Sequence, residues 1–398
     1  MFKPVEIAKN IYNVGCRDWD IRDFHGYSTY QGTTYNAFLI VDEKIILVDT
    51  VKKEFSRELL DNISRIVDPE KIDIVISNHT EMDHSGALPE VMEKIGRNKP
   101  VYCSKMGEKN LASHFTGKLN LISVENGEEL SIGKRTLSFM ETKMLHWPDS
   151  MFTYVKEDGI LFSSDAFGQH YAGDAMFDDE IGDAIMEHAA KYFANILLNY
   201  APRVEQLLVK VAESGLVINM ICPDHGILWR KDPGAIISAY MKWSSQECSK
   251  KAIIVFDTMW KSTAAMARQI ARGVESQGVK VRVMNTRQCH RSDIMTEMLD
   301  AKALVVGSPT LNNGIFPVVA DVLTYIKGLR PKNRFAAAFG SYGWSGEAVK
   351  ILNKEFEAMD LEIIDPGLAV KYVPTTDDLE KSFELGRTIG QKVAQSFP

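Results

Sequence analysis

Apolar positions divide the chain into two halves with different rhythms. In the second half, short β-rich runs at 251–257 (KAIIVFD), 279–286, 303–307, 334–340 and 361–364 alternate with amphipathic stretches near 262–276, 292–299, 317–328, 345–359 and 377–395. Such alternation marks parallel βαβ units, so this half predicts a small doubly wound sheet. The first half is mixed. Strand-like runs lie near 5–14, 36–41, 44–49, 72–77, 136–141, 151–155, 160–163 and 216–221, with helical periodicity near 52–66, 86–95, 104–115, 180–198, 202–213 and 232–247. That mixture suits an α/β sandwich, two sheets face to face with helices outside. The polar stretch 244–250 (SSQECSK) separates the halves and predicts domains at 1–250 and 251–398.

A length of 398 residues suits two domains, and 45% hydrophobic with 25% charged residues describes ordinary globular cores. The net charge is −7 and basic residues are scattered singly, so nothing resembles a nucleic-acid footprint. Glu6 interrupts the N-terminal run, and no later stretch approaches about 18 apolar residues. An unexported, cytoplasmic chain with no membrane partner is expected. The five cysteines (Cys16, Cys103, Cys222, Cys248, Cys289) are odd in number and never form a C-x-x-C pair. They predict reduced thiols and leave no local pair for a thiolate cluster, so a metal would have to use histidine and carboxylate.

Such side chains are concentrated in one place. His79, Glu81, Asp83 and His84 (HTEMDH) directly follow the apolar run IDIVIS and precede a helix expected near Ser85. This puts them on a loop at the carboxyl end of a buried strand, where α/β sheets build sites. His79 and Glu81 can share one direction and Asp83 and His84 a second, which suits two adjacent metals. His146 (MLHWPDS), Asp165 (LFSSDAFG) and His225 (ICPDHG) follow further strand-like runs. A single histidine at a strand end is more often structural than a ligand, but seven ligand-type residues in such settings argue together for a site.

The set resembles the metallo-β-lactamase superfamily, whose first motif is His-x-His-x-Asp-His followed by a later His, an Asp and a final His. Glu81 stands where the zinc hydrolases have the second histidine. An anionic oxygen in place of a neutral imidazole moves the preference towards iron.

In the second half, Thr258, Met259, Trp260, Lys261, Ser262 and Thr263 follow the KAIIVFD strand and open a helix. Hydroxyls and backbone N–H groups at a helix start can hold a phosphate. Two more loops leave the same sheet edge: Gly307, Ser308, Pro309, Thr310, Leu311, Asn312 and Asn313, then Gly340, Ser341, Tyr342, Gly343, Trp344, Ser345 and Gly346. Their glycines would let backbone approach a flavin ring, and Tyr342 or Trp344 offers a stacking face. No G-x-G-x-x-G follows a strand, which disfavours a nicotinamide site.

Over essentially its whole length the chain resembles the flavodiiron proteins, also called A-type flavoproteins or rubredoxin:oxygen oxidoreductases. The resemblance implies a metallo-β-lactamase-like αββα sandwich followed by a flavodoxin-like doubly wound parallel sheet that binds FMN. It implies one iron on His79, Glu81 and His146 and another on Asp83, His84 and His225, bridged by Asp165; in some relatives the residue matching His84 stays off the metal. It further implies reduction of oxygen or nitric oxide, a rubredoxin-like electron donor and a head-to-tail homodimer, with a tetramer also open. His25, His170 and Tyr192 are the candidate proton-supplying groups, and Phe193 stands where many relatives carry tyrosine. The rival readings are a metal hydrolase with an appended flavodoxin module, against which Glu81 speaks, and a plain electron carrier.

Overall fold

The computed structural model describes residues 3–116 and 119–397. The outermost residues of the expected domain bounds, Met1, Phe2 and Pro398, lie outside the described residues. Two compact units are formed: residues 1–25, 29–192 and 202–241 make the first, and residues 26–28, 193–201 and 242–398 the second.

The first unit is built on two large sheets and also carries a two-stranded ribbon of Cys16–Asp18 and Thr33–Tyr35. The larger runs in the order Val5–Ala8, Ile11–Asn13, Phe38–Val41, Ile45–Val48, Ile74–Ser77, Pro100–Ser104 and Asn120–Val124, antiparallel at first and parallel from Ile45–Val48 onward. The smaller runs Glu129–Ser131, Thr136–Glu141, Met151–Val155, Ile160–Ser164 and Met220–Pro223, with only the last pairing parallel. Alternation along the strands explains the layering. Phe38, Ile40, Ile46 and Ile76 face inward and meet Phe139, Val155, Phe162 and Cys222 of the other sheet. Their neighbours Leu39, Leu47, Val75 and Val101 face outward against Leu59, Ile63, Val91 and Leu111 of the covering helices Ser56–Ser64, Leu88–Ile95 and Lys105–His114. Each such aliphatic or aromatic side chain contributes about 1.5–3 kcal/mol by leaving water.

Several expectations are corrected. The single run at 5–14 is a hairpin, because Asn10 takes a left-handed turn (φ 61°). The helix at 180–198 is broken after Asp178–Ile181 by Gly182 (φ 74°), resumes as Ile185–Tyr192, and widens into a π-turn over Phe193–Leu197. Pro100–Ser104, Asn120–Val124 and Glu129–Ser131 are strands that the pattern did not predict.

The second unit carries a wholly parallel sheet in the order Lys280–Asn285, Ser249–Phe256, Ala301–Gly307, Phe335–Tyr342 and Glu362–Lys371. This is the flavodoxin-type order with its switch point beside the first strand. Helices Ser262–Glu275 and Thr376–Gln395 pack on one face over Ala252, Ile254, Ala303 and Val305. Gly273 and Gly386 let these two helices touch, since a Cβ on either would run into the other's backbone. No helix among the described residues is long and apolar enough to cross a membrane.

Candidate metal centre and flavin pocket

The Ile74–Ser77 strand is buried throughout, so it delivers the residues that follow it into the interior. Asn78 fixes the exit: its backbone N–H and side-chain Nδ2 donate to Asp49 at 2.7 Å each, and its Oδ1 accepts from Thr153 Oγ1 at 2.7 Å. Helix starts earlier than expected, at Met82–Ser85, and that turn swings Asp83 and His84 away from His79 and Glu81. Asp165 follows Ile160–Ser164, His225 follows Met220–Pro223, and His146 descends from the loop ahead of Met151–Val155.

Seven donors from four stretches of chain thereby meet. His79, Glu81, His146 and Asp165 form one group and Asp83, His84 and His225 another, with the candidate ligand atoms of each group within 4.8 Å of one another. Glu81 Oε2 lies 3.3 Å from His79 Nε2 and 3.1 Å from His146 Nε2. Asp165 serves both groups. Its Oδ2 is 3.3 Å from His79 Nε2 and 3.1 Å from His146 Nε2, while its Oδ1 is 3.3 Å from His84 Nε2 and 3.4 Å from His225 Nε2. Asp83 Oδ2 completes the second group, 3.3 Å from His84 Nε2 and 3.1 Å from His225 Nε2.

These residues fit a pair of cations. Donors about 2.0–2.2 Å from a shared ion stand roughly 3.0–3.5 Å apart, the spacing found here. Asp83 Oδ1, Asp165 Oδ2 and both ring nitrogens of His84 are buried without a well-directed hydrogen bond, a cost that a bound cation removes. The electrostatics demand positive charge at the same point. Burial opposes ionisation of Glu81, yet hydrogen bonds with His146 and His79 hold it well below the usual carboxylate range. Burial disfavours charge on His79 as well, but Asp149 and Glu81 push its imidazole up to about 10, and Asp165 and Glu81 push His146 to about 9.

Of the candidate proton-supplying residues, Tyr192 donates its hydroxyl proton to Asp165 Oδ1 at 2.8 Å. His25 sits in left-handed backbone (φ 54°) with its side chain 75% exposed, and its Nε2 is 3.4 Å from Glu81 Oε1. His170 is buried with Nδ1 2.8 Å from Thr33 Oγ1, and burial pushes its pKa well down, so the ring is neutral. Its ring meets those of Tyr192 and His225 edge to face. Phe193 is fully buried.

In the second unit the three loops converge on a cavity of about 440 Å³ lined by Met259, Trp260, Ser262, Pro309, Thr310, Leu311, Asn312, Asn313, Ser341, Tyr342, Gly343, Trp344 and Ser345. Trp260 and Trp344 are 85% and 89% exposed, two flat apolar faces without cover. Thr258 Oγ1 is buried with no hydrogen bond, while Thr263 Oγ1 pairs with Ser341 Oγ at 2.9 Å. Lys261 adopts φ 70° just ahead of the helix Ser262–Glu275, and no side chain at that position caps it, so the N–H groups of that helix start are open to an anion. Seven of the loop residues expected from the sequence, Thr258, Lys261, Thr263, Gly307, Ser308, Gly340 and Gly346, lie outside the cavity lining, three of them for visible reasons. Gly340 admits the close approach of the Ser308 carbonyl, Ser308 Oγ accepts from Phe316 N at 2.9 Å, and Thr263 is buried beneath the loop.

Comparison with known proteins agrees with both halves. Residues 33–226 match the family described as ODP family beta lactamase, and residues 254–386 match Flavodoxin. The nitric oxide reductase of Moorella thermoacetica is 46% identical over 99% of this chain and 100% of its own length. The solved rubredoxin oxygen:oxidoreductase of Desulfovibrio gigas superposes with a TM-score of 0.96 at 41% identity, covering 99% of each chain. The flavodiiron protein of Giardia intestinalis superposes with a TM-score of 0.95 at 35% identity, covering 100% of this chain and 98% of that one. The chain belongs to the flavodiiron proteins. It is an oxidoreductase built from a metallo-β-lactamase-like part and a flavodoxin-like part.

This flavodiiron chain also uses residues that the motifs did not single out. Asp149 accepts from His79 Nδ1 at 3.0 Å, Thr34 O accepts from His225 Nδ1 at 2.7 Å, and Asp224 Oδ2 faces His84 Nδ1 at 3.4 Å. Such outer partners set the tautomer and basicity of a ligand histidine. Asp149 follows His146 by three residues and Asp224 directly precedes His225, so an acid beside each histidine was the available signal. Tyr372 and Val373, just past the end of Glu362–Lys371, form a further wall of the second unit's cavity.

Proposed function

We propose that this chain reduces dioxygen to water, or nitric oxide to nitrous oxide, at two irons, with electrons delivered through FMN. The reading is carried by Asp165, whose two oxygens address two donor groups that each contain a further carboxylate, Glu81 or Asp83. Harder oxygen donors favour iron that cycles between oxidation states over hydrolytic zinc. His79, Glu81 and His146 would hold one ion and Asp83, His84 and His225 the other, with Asp165 offering one oxygen to each group. When bound, the irons and reduced FMN supply the electrons, four for each dioxygen or two for each pair of nitric oxides.

The remaining work falls to the protein. Tyr192 keeps its proton and orients Asp165 through the 2.8 Å hydrogen bond. His25 stands at the exposed side of Glu81 Oε1, where a proton from solvent is handed inward. His170 stays neutral and packs beside His225, closing the buried side of the centre. In the second unit, Thr258, Ser262 and the start of the Ser262–Glu275 helix hold the FMN phosphate, and the loops at 308–313 and 340–345 hold the ring between Trp260, Tyr342 and Trp344. A cytoplasmic rubredoxin-like donor feeds the flavin, and a head-to-tail homodimer sets one chain's flavin beside its partner's irons.

Metal and flavin analysis of the purified protein tests the assignment. About two irons and one FMN per chain, with consumption of dioxygen or nitric oxide, supports it. Zinc in place of iron, with hydrolysis and no gas consumption, overturns it in favour of a metal hydrolase.

A further inference from the structure

Two groups outside the seven donors press on the centre from opposite sides. Asp149 is fully buried on the loop that carries His146, and its carboxylate is saturated: Oδ2 accepts from His79 Nδ1 at 3.0 Å and from Thr80 N and Oγ1 at 2.8 Å each, while Oδ1 accepts from Asn110 Nδ2 at 3.2 Å. Its orientation is therefore locked towards His79. Tyr192 donates to Asp165 Oδ1, the oxygen that faces His84 and His225, and leaves Oδ2, which faces His79 and His146, untouched.

The two half-sites otherwise match, each with two imidazoles and two carboxylate oxygens. An anionic acceptor on the outer nitrogen strengthens an imidazole as a donor, whereas a hydrogen bond into a carboxylate oxygen weakens that oxygen. The second half-site has only a looser counterpart of Asp149, since Asp224 lies 3.4 Å from its histidine where Asp149 lies 3.0 Å from His79. His225 leans on the neutral Thr34 carbonyl, and His84 faces an Asp224 whose oxygens make no hydrogen bond. One contact runs the other way, His25 on Glu81, but it reaches the outer oxygen from a solvent-screened side chain. We propose that Asp149 and Tyr192 act as positioning residues that make the two half-sites unequal in reduction potential, so that the ion beside His79, Glu81 and His146 is oxidised first and reduced last. This rests on the diiron reading above.

The test is a mediated redox titration of the full chain loaded with iron and FMN, with Mössbauer and EPR spectra of the half-oxidised form. The wild-type pair should pass through a well-populated half-oxidised state with one ferric and one ferrous subspectrum. Asp149→Asn keeps the shape and removes the charge. It should raise the lower couple, cut the comproportionation constant about tenfold and alter the ferric subspectrum while sparing the ferrous one. Tyr192→Phe should narrow the same gap from the other side by lowering the upper couple. Both couples unmoved in either variant at full iron content, or a change confined to the ferrous subspectrum in Asp149→Asn, overturns the proposal. If Asp149→Asn loses iron, Tyr192→Phe decides alone. A wild-type protein that holds no iron pair sinks the underlying reading instead.

Discussion

Around the metal centre, buried side chains hold one another in place, and His79 and His225 each have a hydrogen-bonded partner on the far nitrogen. Around the flavin cavity the order is reversed: backbone turns and exposed rings surround open space, and Trp260 and Trp344 stand almost wholly in solvent. A cluster of charges in a core must be satisfied on every side before the fold closes, so its geometry is dictated by packing. A planar cofactor at a sheet edge needs only a helix start, flexible loops and flat faces. The first site should therefore fail abruptly when a donor is removed and the second by degrees.

The largest effect expected is from His79→Ala combined with His146→Ala. Iron content and gas reduction should both collapse while FMN content, read from flavin absorbance, stays at the wild-type level. Glu81→His is the next sharpest break. It should cut iron retention by at least about tenfold, raise zinc retention, and leave the fold unchanged by circular dichroism. On the flavin side, Thr258→Ala should weaken FMN binding about ten- to a hundredfold, the range for a hydrogen bond to a charged group. Thr263→Ala should cost less, because that hydroxyl already pairs with Ser341. Trp344→Ala is expected to be the mildest, less than about tenfold in FMN affinity by fluorescence titration, the scale of one aromatic stack.

The same contrast explains what could be read in the sequence. HTEMDH after IDIVIS announces a site because an apolar run followed at once by four ligand-type residues has few other uses, and the segments that end the strands Ser249–Phe256, Ala301–Gly307 and Phe335–Tyr342 stand where parallel sheets bind ligands. The five strands and five helices of the second unit were likewise legible, because the strands Ser249–Phe256, Ala301–Gly307 and Phe335–Tyr342 carry long apolar runs, while Lys280–Asn285 and Glu362–Lys371, which mix in polar residues, are marked by their places between helices. Less could be read where the determining contact is distant. Nothing local shows that Asp149 reaches back to His79, or that Thr34 reaches forward to His225. The strand Pro100–Ser104 opens with a residue that reads as a breaker, and it is a strand because Ile74–Ser77 and Asn120–Val124 pair with it on either side. Lys105–His114 and Leu88–Ile95 were expected as helices because each presents its own apolar stripe.

The most direct measurement of the central claim is anaerobic mixing of the fully reduced, iron- and FMN-loaded protein with dioxygen or nitric oxide, followed by product analysis. The account predicts that one gas or both reoxidise the flavin and the irons together, that dioxygen gives water with no hydrogen peroxide released, and that nitric oxide gives nitrous oxide. Stoichiometric peroxide, or a reduced protein that neither gas reoxidises although both cofactors are bound, would contradict it.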